Sequence, residues 1–367
     1  AARATGITVN RIVTAATHTH SAPTAVPLAQ CNPDPEYVEH LTRQITQAII
    51  EANAKMQPVE VGWGTAQVPE EVSNRRWFVK PQALQPNPFQ EPGDQVRTNP
   101  SRGTGLLIKA AGPVDPTVTF LSVRSAQGQP VSLLANYGLH YVGGIPPSQL
   151  SADYFGEFAR QIASRFKADA ASDFVGIMSN GSSGDVNNYR FPDARPRSHP
   201  FERVKAVASL VADRVGATNA MIDFQSETTI LMNERELEVG IRQPDVRQLE
   251  KAKTLLAQAA NPERLTMNEV YAQESVRLSQ AAPTVRIKLQ TISMGELAIV
   301  TVPCEVFAKI GIDIKRRSPF KTTFLIGLAN GYNGYLPSPE QHKLGGYETW
   351  RSSWSYLETD ASTKITN

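Results

Sequence analysis

The chain has 367 residues, of which 41% are hydrophobic and 20% charged, and this balance is typical of a folded globular protein. Its formal net charge is only +2, so it lacks the broad positive field that a dedicated nucleic-acid binder needs. No stretch approaches the roughly 18 consecutive apolar residues of a membrane-spanning helix, so the composition excludes both of these classes.

In the first half of the chain, periodicity alternates between strand and helix patterns. The opening residues predict the end of a helix closed at Gly6. Residues 70–116 are rich in Pro, Asn, Gln and Arg with little periodicity, which is typical of a disordered segment or a functional lid. The other predicted elements are, in order, a strand over Ile7–Ala16, a helix over Pro33–Lys55, a strand over Val59–Val68, a hairpin of Thr117–Arg124 with Pro130–Leu139, a helix over Asp153–Phe166, a strand over Phe174–Met178 and a helix over Phe201–Thr218.

The second half continues the mixture without a strict βαβ rhythm. Its predicted elements are a strand over Glu227–Val239, helices over Val246–Ala259 and Asn268–Gln280, a hairpin of Val285–Leu289 with Leu297–Val302, a helix over Glu305–Arg317, a strand over Phe324–Leu328 and a loop from Asn330 to Glu358. This order predicts an α/β fold, a layered sandwich with mixed β-sheets flanked by helices, and not a Rossmann fold. The absence of a leader at residue 1 and the polar end suggest a piece of a longer chain.

His18-Thr19-His20 follows the first predicted strand. In an extended chain, residues i and i+2 share a face, so two imidazoles here can be offered to one metal ion or one substrate. The alternative is a pair of solvated surface histidines. On its own, the pattern does not decide between the two.

Two further candidate ligands also come directly after apolar strands. His140 precedes Gly143-Gly144, which would let a backbone or a ligand approach closely. Glu305 is expected at a helix start, where the helix dipole favours a carboxylate in any case. Each therefore fits either a functional site or an ordinary position at the end of a strand.

Two glycine-rich loops complete the set. Tyr332 and Tyr335 lie among glycines after a predicted buried strand, and a phenol near a dication can ionise and bind it. The loop from Gly181 to Asp185 is a candidate anion nest or an ordinary tight turn. It matches neither a phosphate-binding loop nor a nucleophile elbow.

These segments, in this order, resemble the N-terminal catalytic domain of the neutral/alkaline non-lysosomal ceramidases. The similarity runs from residue 11 to about residue 350. The matching pieces are Thr17-His18-Thr19-His20-Ser21-Ala22-Pro23, Asn74-Arg75, the strand before His140, Leu150-Ser151-Ala152-Asp153, Gly184-Asp185-Val186-Asn187, Val302-Pro303-Cys304-Glu305, Asn330-Gly331-Tyr332-Asn333-Gly334-Tyr335 and Gly346-Tyr347-Glu348.

The resemblance implies a zinc site and a set of residues around it. The implied zinc ligands are His18, His140, Glu305 and Tyr335. The implied catalytic residues are His20, Arg75, Tyr347 and Asp185, and those implied to bind substrate are Asn187 and Tyr332. Residues 1–367 would form one ceramidase-like catalytic domain truncated at both ends: the family's first strands would precede residue 1, and its immunoglobulin-like domain has no counterpart.

The chain departs from the family at two positions. Asn187 stands where the family has the serine often assigned as nucleophile or substrate-orienting group, and Cys304 stands where it has a glycine. An asparagine cannot act as a serine nucleophile. The resemblance therefore favours direct attack of a zinc-bound hydroxide on the amide of ceramide or a related N-acyl lipid, with His20 as proton shuttle. Whether Cys31 and Cys304 pair is left open.

Other functions remain compatible with the same residues. The substrate could be another N-acyl lipid, an N-acylated amino compound or an ester. A metal-dependent phosphoesterase would use Arg75 and the Gly184 loop to hold phosphate, and an inactive lipid- or carbohydrate-binding module would keep only the scaffold. The resemblance implies no nucleic-acid partner, at most peripheral membrane contact, and an extracytoplasmic location, either secreted or periplasmic.

Overall fold

The computed structural model describes residues 1–28, 31–166, 173–194 and 198–367. The helices are α1 (Ala2–Thr5), α2 (Pro35–Ala54), α3 (Asp153–Arg165), α4 (Glu202–Asn219), α5 (Val246–Ala257), α6 (Met267–Ser279), α7 (Ala308–Arg317), α8 (Pro339–Leu344) and α9 (Ala361–Thr366). The strands are β1 (Val59–Gln67), β2 (Ser73–Asn74), β3 (Arg76–Val79), β4 (Val96–Thr98), β5 (Leu107–Ala110), β6 (Thr117–Ser125), β7 (Pro130–Tyr137), β8 (Val175–Asn180), β9 (Val186–Asn187), β10 (Ile230–Gly240), β11 (Thr284–Met294), β12 (Leu297–Thr301), β13 (Glu305–Val306), β14 (Thr322–Ile326) and β15 (Tyr335–Leu336).

Local sequence signals set several of these boundaries. Asp34 caps α2 by accepting hydrogen bonds from the backbone of the first turn, and Pro35 takes the position where a missing N–H costs nothing. Asp245 closes a capping box at the start of α5. Gly6 ends α1 with φ 73°, a left-handed conformation that glycine adopts without strain.

Two larger sheets, each of mixed direction, form the frame. The first has the strand order β1-β6-β7-β8, with β7 and β8 parallel and the other pairs antiparallel. The second has the order β10-β11-β12-β14, with β12 and β14 parallel. Both contain a hairpin predicted from alternating hydrophobic residues.

The two sheets pack face to face, and helices cover their outer faces. Successive strand residues point to opposite faces. Thus Phe120 on β6 packs in the core under α3 and α4, whereas Leu121 faces the second sheet. On β14, Phe324 faces the first sheet, whereas Leu325 packs in the core that includes α7. The predicted layered α/β fold with mixed sheets is therefore confirmed.

Three predictions about elements need correction. Ile7–Ala16 is not a strand, because its pairing is a single bridge between Ala15 and Ala329 beyond a short 3-10 turn. Glu305 does not begin a helix but lies in β13, and α7 starts three residues later. The segment 70–116 holds a small sheet of order β4-β3-β5, so it is neither structureless nor a simple loop.

The predicted C-terminal loop also contains regular structure, since β15, α8 and a 3-10 turn at Tyr347–Thr349 lie within it. Among the described residues, none of the helices is long and apolar enough to cross a bilayer.

Candidate metal centre

The His-x-His segment is fixed against the end of the second sheet. The Ala16 amide donates at 3.1 Å to the carbonyl of Leu328, which lies two residues beyond the end of β14. Thr19 Oγ1 donates to the Ser151 carbonyl at 2.7 Å. His18 itself has φ 62°, a left-handed backbone that is strained for a residue with a side chain. These contacts turn the His18 ring inward, where its side chain is 13% exposed.

His140 is completely buried three residues beyond β7, so it does not cap a strand at the surface. Its Nδ1 lies 3.0 Å from the Ser183 carbonyl, which can only accept a hydrogen bond. Nδ1 therefore carries the proton, and Nε2 of the neutral ring is left with a free lone pair. A backbone carbonyl that accepts from one ring nitrogen in this way commonly orients a metal-binding histidine.

The pairing of β13 with β15 places Glu305 beside Tyr335, its partner in the parallel register. On its other side β13 is approached by the loop that holds Gly184, where a Cβ would lie only 2.4 Å from the Glu305 carbonyl oxygen. The Gly184 amide in turn donates to the Val306 carbonyl at 2.9 Å. Two predicted ligands that are 30 positions apart in sequence thus become neighbours.

His18, His140 and Glu305 converge on one point, and His20 lies beside His18. His18 Nε2 lies 2.7 Å from His140 Nε2 and 3.4 Å from His20 Nε2. Glu305 Oε2 lies 3.4 Å from His18 Nε2 and 3.7 Å from His140 Nε2. That oxygen is buried and has no hydrogen-bond partner of suitable geometry. A buried carboxylate oxygen without a partner is costly, so it marks a place for a cation.

Electrostatics support the same arrangement. Burial opposes the charge of Glu305, but His18, Arg75 and a hydrogen bond from Tyr332 outweigh it and lower the Glu305 pKa. Burial lowers the pKa of His140 well below its usual value, and the neighbouring His18 and Arg75 lower it further. The site therefore presents a charged carboxylate and a neutral imidazole at neutral pH, which are the protonation states that bind metals.

The group His18, His20 and His140 can hold a metal ion. Imidazole nitrogens with one carboxylate oxygen form a donor set that suits Zn²⁺. The unpartnered Oε2 of Glu305 fits the same ion. His20, predicted as a proton shuttle, lies at the exposed edge of this group: its Nε2 is 3.4 Å from His18 Nε2, and its ring stacks on Tyr141 with centroids 3.8 Å apart.

The Arg75 side chain lies beside the cluster and is 3% exposed. Its Nη2 donates to the Tyr335 hydroxyl at 3.0 Å, and its Nε donates to Glu348 Oε1 at 2.9 Å. Burial opposes the charge of Arg75, but Tyr335, Glu348 and Glu305 raise its pKa overall. The structure thus joins three predicted residues, Arg75, Tyr335 and Glu305, in one connected group.

Two more tyrosines reach this group. The Tyr332 hydroxyl donates to Glu305 Oε1 at 3.0 Å, so Tyr332 contacts a candidate ligand. The Tyr347 ring lies 5.8 Å from the Tyr335 ring, centroid to centroid. Burial, followed by the charge of Glu305, raises the pKa of Tyr347 to about 12, so its phenol is protonated at neutral pH.

The side chains of Asp185 and Asn187 make their hydrogen bonds elsewhere. Asp185 accepts from the Ala308 amide and from Asn74 Nδ2, both at 2.8 Å, and so anchors the start of α7. The Asn187 amide donates to Asn99 Oδ1 and to the Tyr189 hydroxyl. These hydrogen bonds link neither side chain to the histidine cluster, so their catalytic and substrate-binding roles stay predictions.

Sequence reasoning did not assign roles to several residues that shape the site. Asp153 accepts from the amides of Val142 and Gly143, both at 2.9 Å, and thereby fixes the loop after His140. Glu348 was noticed only as part of a motif. The structure shows that its carboxylate is completely buried, which its position in the sequence does not indicate.

The two cysteines are both free. Cys31 is exposed and Cys304 is buried next to Glu305. Burial, followed by the charge of Glu305, raises the pKa of the Cys304 thiol. Cys304 is therefore a protonated packing residue and not a nucleophile.

Comparison with solved structures confirms the resemblance at the level of the fold. A crystal structure of neutral ceramidase from Pseudomonas aeruginosa matches with a TM-score of 0.60 and 16% identity, covering 97% of this chain and 59% of that one. A structure described as ceramidase complexed with C2 matches with a TM-score of 0.64 and 16% identity, covering 96% and 60%. The chain thus spans about three fifths of the length of these structures. No protein-family model and no curated protein matches it.

Proposed function

We propose that this protein is a zinc-dependent hydrolase that cleaves the amide bond of ceramide or a related N-acyl lipid. The observation that carries the proposal is the convergence of the His18 and His140 rings on the unpartnered Oε2 of Glu305, with His20 beside His18. The ceramidase-like fold supports the choice of substrate class.

His18, His140 and Glu305 would hold the ion, with Tyr335 adjacent to Glu305 in the strand pair. Bound zinc would supply a water of lowered pKa and polarise a carbonyl oxygen. Because such a site needs no serine, asparagine at position 187 is compatible with hydrolysis.

The surrounding side chains can handle the proton and the developing negative charge. His20 is exposed at the edge of the cluster, so its Nε2 can move a proton to the leaving nitrogen. The protonated phenol of Tyr347 and the Arg75 guanidinium would stabilise the oxyanion. One such donor is typically worth about 3 kcal/mol of the barrier.

The alternative of a phosphoesterase has less support in the geometry. The Gly184 and Val186 amides donate to the carbonyls of Val306 and Ser183, so neither is free to bind an anion. An anion would have to displace contacts that are already made.

The lipid part of the substrate is less defined. Trp77 donates from Nε1 to the Asn74 carbonyl at 2.8 Å, and the Phe89 ring lies 5.6 Å from that of Tyr271. These aromatics anchor the segment 70–116 to its surroundings. The N-acyl lipid, a single catalytic domain, at most peripheral membrane contact and an extracytoplasmic location all stay predictions.

The test combines metal analysis with hydrolysis of a short-chain fluorescent ceramide. The wild type should hold about one zinc per chain and release the acyl group, whereas His18→Ala should lose both properties. His40→Ala is the matched control, because His40 is an exposed histidine on α2, outside the cluster. Full zinc occupancy and unchanged hydrolysis in His18→Ala would reject the site.

The same assays separate the alternatives. Turnover of phosphate esters without turnover of amides would favour the phosphoesterase. Full zinc occupancy with no turnover on a panel of acyl amides would favour the inactive binding module.

A further inference from the structure

The Glu348 carboxylate lies between two consecutive arginines and is completely buried. Its Oε1 accepts from Arg75 Nε at 2.9 Å. Its Oε2 accepts from Arg76 Nη1 at 2.6 Å and from the Thr98 hydroxyl. Burial opposes the Glu348 charge, but Arg76 and Arg75 lower its pKa, so the residue is ionised.

Arg76 is a rigid partner in this arrangement. It is 0% exposed, and its guanidinium also donates to Gln341 Oε1 at 2.9 Å and to the Gly345 carbonyl at 2.7 Å. Its guanidinium carbon lies 5.4 Å from the centre of the Phe307 ring. An arginine held at this many points cannot follow a moving partner, so it fixes Glu348 in space.

Arg75 differs from Arg76 because it connects this network to the candidate metal centre. Its Nε contacts Glu348, and its Nη2 donates to the Tyr335 hydroxyl. A free arginine side chain has many rotamers, and fixing it costs conformational entropy. The contact with Glu348 supplies that restraint before any substrate arrives.

We propose that Glu348 is a positioning residue that acts through Arg75. Its carboxylate, fixed by Arg76, holds the Arg75 guanidinium against the Tyr335 hydroxyl and so presets the donor that the proposed hydrolysis uses. The catalytic part of this inference rests on the proposed function. The structural part, that Glu348 immobilises Arg75, does not.

The structural part is tested by NMR of protein carrying ¹⁵N-labelled arginine, with the Arg75 Nε–H signal identified from its loss in Arg75→Met. This signal should be protected from solvent exchange in the wild type and lose its protection in Glu348→Gln. Thr98→Val is the matched control, because it removes one hydrogen bond to Glu348 and leaves both guanidinium contacts. An Arg75 Nε–H signal that stays protected in Glu348→Gln overturns the proposal.

The catalytic part is tested by a double-mutant cycle on kcat. Glu348→Gln should lower kcat about 10- to 100-fold with a smaller change in KM, as a displaced catalytic donor does. In an Arg75→Met background, the same substitution should have almost no further effect. Glu348→Asp, which restores the charge, should recover part of the rate, and Thr98→Val should keep wild-type kcat.

The outcomes separate this inference from the proposed function. Independent, additive effects of Glu348→Gln and Arg75→Met on kcat would mean that Glu348 acts through its neighbour Tyr347 or only through stability, and would overturn it. If the wild type hydrolyses no substrate, the proposed function fails, and the protection of the Arg75 Nε–H signal alone decides whether Glu348 positions Arg75.

Discussion

Two buried carboxylates, Glu305 and Glu348, lie on either side of Arg75 and differ in what surrounds them. Both Glu348 oxygens are matched by donors from Arg75, Arg76 and Thr98. Glu305 has a hydrogen bond at only one oxygen, from Tyr332, while its Oε2 faces the ring nitrogens of His18 and His140. Glu348 therefore has hydrogen-bond partners at both oxygens without any ligand, whereas Glu305 has none at Oε2.

The surroundings of a buried carboxylate distinguish a structural charge from a functional one. A buried carboxylate whose partners are all supplied by the protein stabilises the fold that holds it. A buried carboxylate left with an open oxygen beside imidazole nitrogens lowers its free energy when a cation binds.

The largest expected effect is on the stability of the metal-free protein. Glu348→Gln should lower the free energy of unfolding by about 3–5 kcal/mol, because it leaves buried guanidinium groups without a matching charge. Glu305→Gln should cost clearly less, since only one hydrogen bond depends on that side chain. Denaturant unfolding in the presence of a chelator measures both. Equal losses would mean that the two carboxylates do not differ in this way.

A third buried carboxylate, Asp185, has only neutral hydrogen-bond donors, and burial raises its pKa from 3.8 to about 6. The folded state therefore binds this proton more tightly than the unfolded state. The contribution of Asp185 to stability is fully present below pH 3.8 and is lost as the pH rises through about 6. From 3.8 to about 6, this loss amounts to about 3 kcal/mol.

The measurement compares wild type with Asp185→Asn between pH 4 and pH 7, again with chelator present. The difference between their free energies of unfolding should change across this window in the direction that favours Asp185→Asn at the higher pH. Parallel curves for the two proteins would show that Asp185 does not titrate in the folded state as described.

Zinc should stabilise the folded protein by binding at Glu305 and not at Glu348. A ligand that binds only the folded state at 100 times its Kd adds about 2.7 kcal/mol. Thermal unfolding should show this gain in the wild type and in Glu348→Asp, but not in Glu305→Gln or His18→Ala. A comparable gain in His18→Ala would place the zinc elsewhere.

The smallest effect is expected for Tyr332→Phe, which removes the hydrogen bond to Glu305 Oε1 and nothing else. A hydrogen bond to a charged group typically contributes about 1.5–3 kcal/mol, and here its loss frees the carboxylate to rotate. We expect a stability loss at the low end of that range and weaker zinc binding in a competition titration. Unchanged affinity for zinc would show that Tyr332 does not orient Glu305.

Much of the fold could be predicted from the sequence because helices and long strands leave a local pattern of hydrophobic and capping residues. The predicted helices near α3, α5 and α6 agree with the structure to within about two residues, since hydrophobic periodicity and capping residues set them. Ile7–Ala16 had the composition of a strand but found no neighbouring strand to pair with. Pairing depends on distant residues and leaves no local signal.

The candidate site shows the same limit. His18 and His20 were visible because they are two positions apart. The proximity of Glu305 to Tyr335 depends on the pairing of β13 with β15, and that of Glu348 to Arg75 depends on how the chain folds over 273 positions. The resemblance to a known family supplied the ligand set, but the contrast between a satisfied and an unsatisfied carboxylate required coordinates.

The alkylation rates of the two thiols report on local opening at this site. Cys31 is exposed and should react promptly with an alkylating reagent, whereas Cys304, buried beside Glu305 with a raised pKa, should react only when the surrounding strand opens. The rate of the slow alkylation at Cys304 therefore measures the rate of local opening at the candidate metal centre. Saturating zinc should slow the alkylation of Cys304 without changing the alkylation rate of Cys31.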